Sequence, residues 1–148
     1  MTVRVQAEDF DLGAEVRQLR LQSAGAGAVV SFVGQVRDLN LGENVASLTL
    51  EHYPGMTEKA LQAIVTQAQA RWPILNALVI HRIGTLQPLD QIVLVAVASA
   101  HRGDAFAACE FIMDYLKTEA PFWKKESSSK GEQWLEALAT DHQARERW

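Results

Sequence analysis

Three lysines lie close together where a strongly apolar helical segment ends, and this stretch carries the chemically most promising side chains of the chain. Lys117 falls in the last turn of the predicted helix, and Lys124 and Lys125 follow in an aromatic segment after Pro121. An amine with apolar neighbours such as Trp123 loses hydration, so its pKa falls and it becomes usable as an acid, a base or a nucleophile. We therefore expect the chemistry of this protein here.

The same lysines also have purely structural interpretations. Lys117 shares a predicted helical stripe with Phe106 and Met113, but a lysine at a helix end can simply complement the helix dipole and point to solvent. Neighbours in an extended segment point to opposite faces, so only one of Lys124 and Lys125 can share a side with Lys117. Alternation does not decide which one does, and lysines on a strand can instead protect an exposed edge.

A second candidate site is the turn at His101 and Arg102, between a buried strand and a helix that we expect Asp104 to cap. Free N–H groups at a helix start favour anions, and an arginine can clamp a phosphate or a carboxylate there. Arg37 and Arg82 also end apolar strands. Three such arginines in an acidic chain predict a local positive pocket for a small anion such as a phosphate ester.

Composition limits the functional classes. The chain has 148 residues, of which 48% are hydrophobic, and a net charge of −4. These values fit one domain over residues 1–148 and argue against a general nucleic-acid or anionic-membrane binder. The sequence shows no membrane-spanning run and no signal-peptide core, and its single cysteine excludes an internal disulfide. We expect a cytoplasmic protein.

Hydrophobic patterning predicts an α+β fold with a mixed, largely antiparallel sheet. The run 91–100 is almost wholly apolar and β-branched, which indicates a central buried strand. Other strands are expected near 3–7, 26–36, 45–53 and 78–83, an extended segment at 122–127, a turn at 128–131 and a return at 133–136. The predicted helices are 11–21, 57–71 and 105–118, and the residues from 140 onward form a polar tail.

Several familiar sites are missing from the sequence. Gly25-Ala26-Gly27 precedes a strand instead of following one, so it is not a dinucleotide loop. The four histidines have no metal-ligand spacing, and Cys109 lies inside an apolar helix, where an inert core role is expected. We predict no metal site and no bound cofactor.

A set of motifs from residue 26 onward resembles a known family, the large catalytic subunits of molybdopterin synthases. The motifs are Ser31-Phe32-Val33-Gly34-Gln35-Val36-Arg37, Leu50-Glu51-His52-Tyr53-Pro54-Gly55-Met56, His81-Arg82-Ile83-Gly84, His101-Arg102, and Tyr115-Leu116-Lys117 followed by Pro121 to Glu126. The resemblance implies an α/β hammerhead-type fold with a small β subdomain. It also implies a homodimer of large subunits, with one small ubiquitin-like subunit at each outer end of a heterotetramer.

The implied reaction converts cyclic pyranopterin monophosphate, called precursor Z, into molybdopterin during molybdenum cofactor biosynthesis. Two sulfurs are added as a dithiolene by a sulfurtransferase reaction. They arrive as a thiocarboxylate on the C-terminal Gly-Gly of the small subunit, whose tail enters a pocket of the large one. The substrate is thus a pterin monophosphate and the partner a protein, with no nucleic acid or membrane involved.

The resemblance also implies roles for individual residues. Lys117 and Lys124 match the family's active-site lysines. Relatives often carry a lysine where this chain has Gln35, so one cationic substrate contact is replaced here by an amide. The remaining expected substrate contacts are Val36, Arg37, His101, Arg102, Lys125 and Glu126, with Phe32 and Met113 as apolar walls. Arg145 and Arg147 are candidates for residues that one protomer lends to the other.

Two rival functions remain open from the residues alone. The first is a lysine-dependent lyase or aldolase that forms a Schiff base on Lys117. The second is a non-catalytic module that senses anions or acts as an adaptor, with Arg147 and Trp148 as a docking element. The resemblance favours the synthase reaction over both.

Overall fold

The computed structural model describes residues 1–40, 43–128, 131–136 and 139–148. Helices and strands alternate along the chain, with most strands in its first two thirds. The helices are α1 (Leu12–Leu21), α2 (Met56–Arg71), α3 (Arg102–Glu119) and α4 (Ala139–Glu146). The strands are β1 (Thr2–Gln6), β2 (Ala28–Gln35), β3 (Leu39–Asn40), β4 (Glu43–His52), β5 (Ile74–Arg82), β6 (Gly84–Leu86), β7 (Gln91–Ser99), β8 (Phe122–Ser128) and β9 (Gly131–Leu135).

The main sheet has the strand order β1-β5-β7-β2. β1 pairs with β5 in parallel, whereas β7 runs antiparallel to both β5 and β2. β7 is central and buried on both faces, which explains its unbroken run of apolar, mostly β-branched residues. The predicted α+β class with a mixed, largely antiparallel sheet is confirmed.

Helices cover both faces of the main sheet. On one face, α2 and α3 pack against β5 and β7 around Phe111, Ile64 and Val95, which are almost fully buried. On the other face, α1 contributes Leu19 to a smaller cluster with Ile80 and other sheet residues. Each such large apolar side chain contributes roughly 1.5–3 kcal/mol by leaving water, so these two layers rigidly hold the ends of β5, β7 and α3.

A second sheet forms the predicted small β subdomain. Its order is β3-β4-β8-β9, and β6 pairs with β4 as well. The subdomain has a core of its own, in which Leu50, Leu86 and Val45 pack with Val36. Leu135 of β9 lies directly opposite Lys124 of β8, so their side chains share one face of this sheet.

Two local features bring the subdomain against the end of α3. The buried hydroxyl of Thr57 donates to the Pro121 carbonyl oxygen at 2.9 Å and accepts from the Tyr53 N–H at 2.9 Å. These bonds fix the chain between α3 and β8. On the opposite side, the β2–β7 register shifts between Gly34 and Gln35, which marks a bulge where β2 ends.

Three sequence expectations need correction. α3 begins at Arg102, directly after His101, so Asp104 lies in its first turn and is not its cap. The polar tail folds as α4, and β6 was not predicted. Part of the predicted turn at 128–131 lies outside the described residues. None of the helices in the described ranges is long and apolar enough to cross a membrane.

Candidate active site

A cavity of about 460 Å³ opens where the end of α3 meets the start of the β subdomain. Lys117 and Thr118 of α3 and Lys124 of β8 line it, together with Arg37, which follows β2. Its apolar walls are Ile92, Val93, Leu116, Phe122 and Leu135. The structure therefore places the two family-matched lysines and one strand-end arginine in a single cleft.

Lys117 and Lys124 line the cavity together, near enough for the charge of one to act on the other. Burial, followed by the charge of Lys117, lowers the pKa of Lys124 to about 8. An amine with such a pKa is neutral in roughly one molecule in ten at pH 7 and exchanges protons readily. The cavity thus offers a proton-accepting amine beside a second lysine.

His81, the penultimate residue of β5, forms part of the same cavity wall. Its Nδ1 lies 2.8 Å from the Arg82 carbonyl oxygen, which only accepts, so Nδ1 carries the proton and Nε2 the lone pair. The ring stacks on Phe122 with centroids 3.7 Å apart. Burial, reinforced by the charges of Lys124 and Lys117, lowers the pKa of His81 to about 3. His81 is therefore a neutral wall beside the lysines.

A smaller recess of about 140 Å³ continues from the cavity toward the subdomain core. Gln35, Val36 and Arg37 line it from the bulged end of β2, and Glu126 lines it from β8. Glu126 is only 6% exposed although it is an acidic residue. All four of these predicted contact residues thus adjoin the lysine pair.

Lys125, Phe32 and Met113 do not belong to these cavities. Lys125 is on the opposite face of β8, where its Nζ lies 3.6 Å from Glu132 and 5.5 Å from the Trp134 ring centroid. Met113 is buried in the main core, and Phe32 is 41% exposed on β2. Strand alternation explains why Lys125 faces away from the cavity that Lys124 lines. The expected apolar walls Phe32 and Met113 are replaced by Leu116 and by residues from other elements.

His101 and Arg102 lie at the far end of the fold. They follow β7 at Ser99, whereas the cavity is at Ile92 and Val93 near the start of that strand. Six residues of strand span roughly 20 Å, and α3 covers a similar distance from Arg102 to Lys117. Both residues are exposed, and within one copy of the chain neither reaches the cavity.

The other arginines considered above have contacts elsewhere. Arg82 donates to the Ala7 carbonyl oxygen at 3.0 and 3.1 Å and to that of Gln91 at 3.1 Å, so it stabilises the sheet edge. Arg145 forms an ion pair with Glu119, and Arg147 lies 3.0 Å from Asp114. Of the three strand-end arginines, Arg37 is the one that the fold brings to the lysines.

The sequence reasoning did not select two carboxylates that line the cavity, Glu136 after β9 and Asp141 on α4. Asp141 precedes Arg145 by four residues, a spacing that favours a helix and offered a signal for α4. No sequence signal indicated that α4 folds back to the cavity. Among the described residues, no group of three or more His, Cys, Asp or Glu side chains is arranged to hold a metal ion.

The geometry suits a small anionic substrate that needs proton transfer. Arg37 and a protonated lysine can neutralise negative charge, while the second amine accepts or returns a proton. The apolar walls can hold a ring system, and the recess near Glu126 extends the space. A cleft of about 460 Å³ is large enough for one small molecule.

Comparisons with known proteins identify close relatives. The sequence model of the MoaE protein family matches residues 5–119. The molybdopterin synthase catalytic subunit of Ralstonia nicotianae is 63% identical over 147 residues, which cover 99% of this chain and 84% of that protein. That of Vibrio cholerae is 60% identical over 146 residues, which cover 99% and 97%.

Solved structures agree with the sequence comparison. The molybdopterin biosynthesis MoaE protein of Burkholderia ambifaria superposes with a TM-score of 0.86 at 58% identity, covering 99% of this chain and 97% of that one. A complex of subunits 1 and 2 of molybdopterin-converting factor from Helicobacter pylori matches with a TM-score of 0.74. Its identity of 17%, over 89% of this chain and 88% of that one, shows a shared fold.

Proposed function

This chain belongs to the MoaE family of molybdopterin synthase catalytic subunits, and from that premise we propose how it carries out the reaction. Residues 1–148 act as one catalytic domain that converts cyclic pyranopterin monophosphate into molybdopterin. Each of two sulfur transfers breaks the C–S bond in the thiocarboxylate of a small partner and forms a C–S bond on the pterin, where a C–O bond to the same carbon breaks and the displaced oxygen takes up a proton. Water restores the carboxylate of the donor. The observation that carries this proposal is the Lys117–Lys124 pair beside Arg37 in one cavity.

Lys117 and Lys124 have complementary roles in this reaction. Lys117 stabilises the negative charge that develops when the thiocarboxylate carbonyl is attacked, as donors in an oxyanion hole do. Lys124 accepts and returns protons, for which a pKa of about 8 is well suited. Because both amines line one cavity, they can act on the same bound substrate.

The pterin is held by its charge and by its flat ring. Arg37 binds the phosphate, and Gln35 and Val36 contact the substrate from the bulged end of β2. Glu126 lines the same recess and orders its polar groups. Leu116, Phe122 and Leu135 supply the apolar surface that the sequence assigned to Phe32 and Met113.

A second copy of the chain supplies its His101 and Arg102 to the cavity of the first copy. In one copy these residues are exposed and lie at the far end of β7 from the cavity. They can contact the substrate only if a homodimer brings them to the cavity of its partner. A paired arrangement also fits the two-fold symmetry that most homo-oligomers adopt.

The sulfur donor is a small ubiquitin-like subunit that ends in Gly-Gly. A protein of the same fold from Helicobacter pylori has been solved as a complex of two subunits of molybdopterin-converting factor. Glycines at the end of such a tail fit a narrow cleft because they carry no side chain. Together with a dimer of catalytic subunits this gives a heterotetramer, which we place in the cytoplasm.

The test is turnover of cyclic pyranopterin monophosphate by the purified chain with thiocarboxylated small partner. We expect Lys117→Ala to reduce the rate of molybdopterin formation by roughly 100-fold or more, in the range found for loss of one charge-stabilising donor. Lys59→Ala is the matched control, because Lys59 is an exposed lysine on α2. Full turnover by Lys117→Ala would exclude the role given to this amine.

Trapping of a covalent adduct on a lysine would instead indicate Schiff-base chemistry. A lysine with a lowered pKa, as Lys124 has, also suits imine formation with a carbonyl substrate. Borohydride in the reaction mixture should then leave a reduced adduct on Lys117 or Lys124, detectable by its mass. We expect no such adduct with the pterin substrate, because sulfur transfer requires no imine.

A further inference from the structure

Asp141 of α4 is a carboxylate of the cavity to which the roles above assign no task. It lines the cavity together with Lys117 and Lys124. α4 packs against α3, the helix that carries Lys117. α4 thus brings a carboxylate to the pair of amines.

Ion pairs and a hydrogen bond hold α4 and the two residues after it against α3. Arg145 pairs with Glu119. Arg147 lies 3.0 Å from an Asp114 oxygen, and the indole N–H of Trp148 donates to the same oxygen at 2.6 Å. These anchors flank the turn of α3 that contains Lys117, so they fix the place of Asp141 relative to the lysine pair.

The charged groups around Lys124 have opposite effects on its protonation. The titratable and charged side chains that share its cavity or the adjoining recess are Arg37, His81, Lys117, Glu126, Glu136 and Asp141. Burial and Lys117 favour the neutral form of Lys124, whereas Asp141 favours the protonated form. His81 stays neutral because burial keeps its pKa at about 3. Asp141 is therefore the charge that opposes complete loss of the proton.

We propose that Asp141 is a positioning residue that sets the protonation of the lysine pair, favouring the protonated form of Lys124 beside the charge of Lys117. Two adjacent ammonium groups repel each other, and two neutral amines could not stabilise negative charge. A nearby carboxylate favours the state with a positive amine at the pH of the reaction. Asp141 matters for turnover only if the lysines carry the reaction, as proposed above, whereas its effect on Lys124 needs no turnover.

The direct test measures the protonation of Lys124 without any substrate. The native chain is labelled with a trace of light acetic anhydride at a series of pH values, then unfolded and fully labelled with the heavy reagent. Tandem mass spectrometry separates Lys124 from Lys125. We expect the labelling midpoint of Lys124 to lie near 8 in the wild type and about one pH unit lower in Asp141→Asn.

Two further variants make the result specific. Glu146→Gln removes an exposed carboxylate from the same helix and should leave the midpoint unchanged. Asp141→Ser removes the charge but keeps a polar group in the first turn, so it replaces Asp141→Asn if that variant does not give a cooperative thermal transition. A midpoint equal to that of the wild type in the folded Asp141 variant would overturn the proposal.

The pH dependence of turnover provides a separate test of the role of Asp141. If neutral Lys124 is the base, the rising limb of the pH–rate profile should move to lower pH in Asp141→Asn by the same amount as the labelling midpoint. A purely structural role of Asp141 would lower the rate at every pH and leave the limb in place, which would also contradict the proposal. A wild-type chain without turnover would refute the proposed function, and the labelling midpoint would still decide the role of Asp141.

Discussion

Burial changes the chemistry of two single residues in this chain, Lys124 and His81. The sequence predicted that a lysine next to aromatic residues would have a lowered pKa, and Lys124 has one, at about 8. The choice between Lys124 and Lys125 required the register of β8, in which Lys124 faces Leu135 and the cavity. Alternation gives two equivalent faces, and only the pairing with the neighbouring strand distinguishes them.

His81 should make the stability of the fold depend on pH. Its pKa is lowered from 6.5 to about 3 in the folded chain, chiefly by burial. Below about pH 6.5 the unfolded chain binds a proton at this ring and the folded chain does not. The contribution of His81 to the free energy of unfolding is therefore fully present above this pH and is lost as the pH falls toward 3. Between pH 7 and pH 5 the loss from this one group is about 2 kcal/mol.

Replacement of the ring by a phenyl group should remove that dependence. In His81→Phe neither state binds a proton at residue 81, and the stack on Phe122 is kept. Urea unfolding at pH 7 and pH 5 should therefore show a smaller difference in the free energy of unfolding than in the wild type. His142→Gln, at an exposed histidine, should retain the wild-type difference. Equal differences in all three proteins would contradict a neutral buried His81.

Among the elements, the apolar ones were predictable and the polar ones were not. β7 and α2 follow directly from β-branched runs and helical spacing, and the structure places them at Gln91–Ser99 and Met56–Arg71. α4 contains few apolar residues, and the ion pairs that join Arg145 and Arg147 to α3 are not revealed by the sequence alone. β6 has only three residues, too few for a pattern.

Close packing at the start of β2 can be tested with two glycines. A Cβ at Gly27 would lie 2.3 Å from the carbonyl oxygen of Ala100, which is backbone and cannot move aside easily. Gly27→Ala should destabilise the fold by about 2 kcal/mol or more, as overpacking does. At Gly103, in the first turn of α3, a Cβ meets nothing within 4 Å.

The matched variant should behave in the opposite way. Gly103→Ala places a better helix former in α3 and should be neutral or stabilising by up to about 1 kcal/mol. The free energies of unfolding of both variants, measured in urea, give the comparison. A Gly27→Ala protein as stable as the wild type would mean that the strand end can shift away from Ala100.

At the scale of the whole molecule, the sequence predicted that His101 and Arg102 share a site with Arg37. Within one copy of the chain, the fold keeps these two groups apart. Strand ends were grouped because turns after strands often bind ligands. Arg37 and Arg102 both follow strands, but β2 and β7 are antiparallel, so their ends lie at opposite edges of the sheet. Strand direction is a property of the topology, and a list of strand ends does not contain it.

A mixture of two inactive variants can decide whether two copies share a site. Arg102→Ala and Lys117→Ala each damage every site of a homodimer if Arg102 serves the partner's cavity. In a mixed dimer both defects fall into the same site, and the other site is intact. After co-expression in equal amounts, half of the dimers are mixed, so about one quarter of the wild-type kcat/KM should return.

Lys117→Ala with Lys124→Ala is the control and should recover nothing, because both residues line the cavity of one copy. If the first mixture also stays at the level of its parents, Arg102 does not reach the partner's site and the phosphate is held by Arg37 and the lysines.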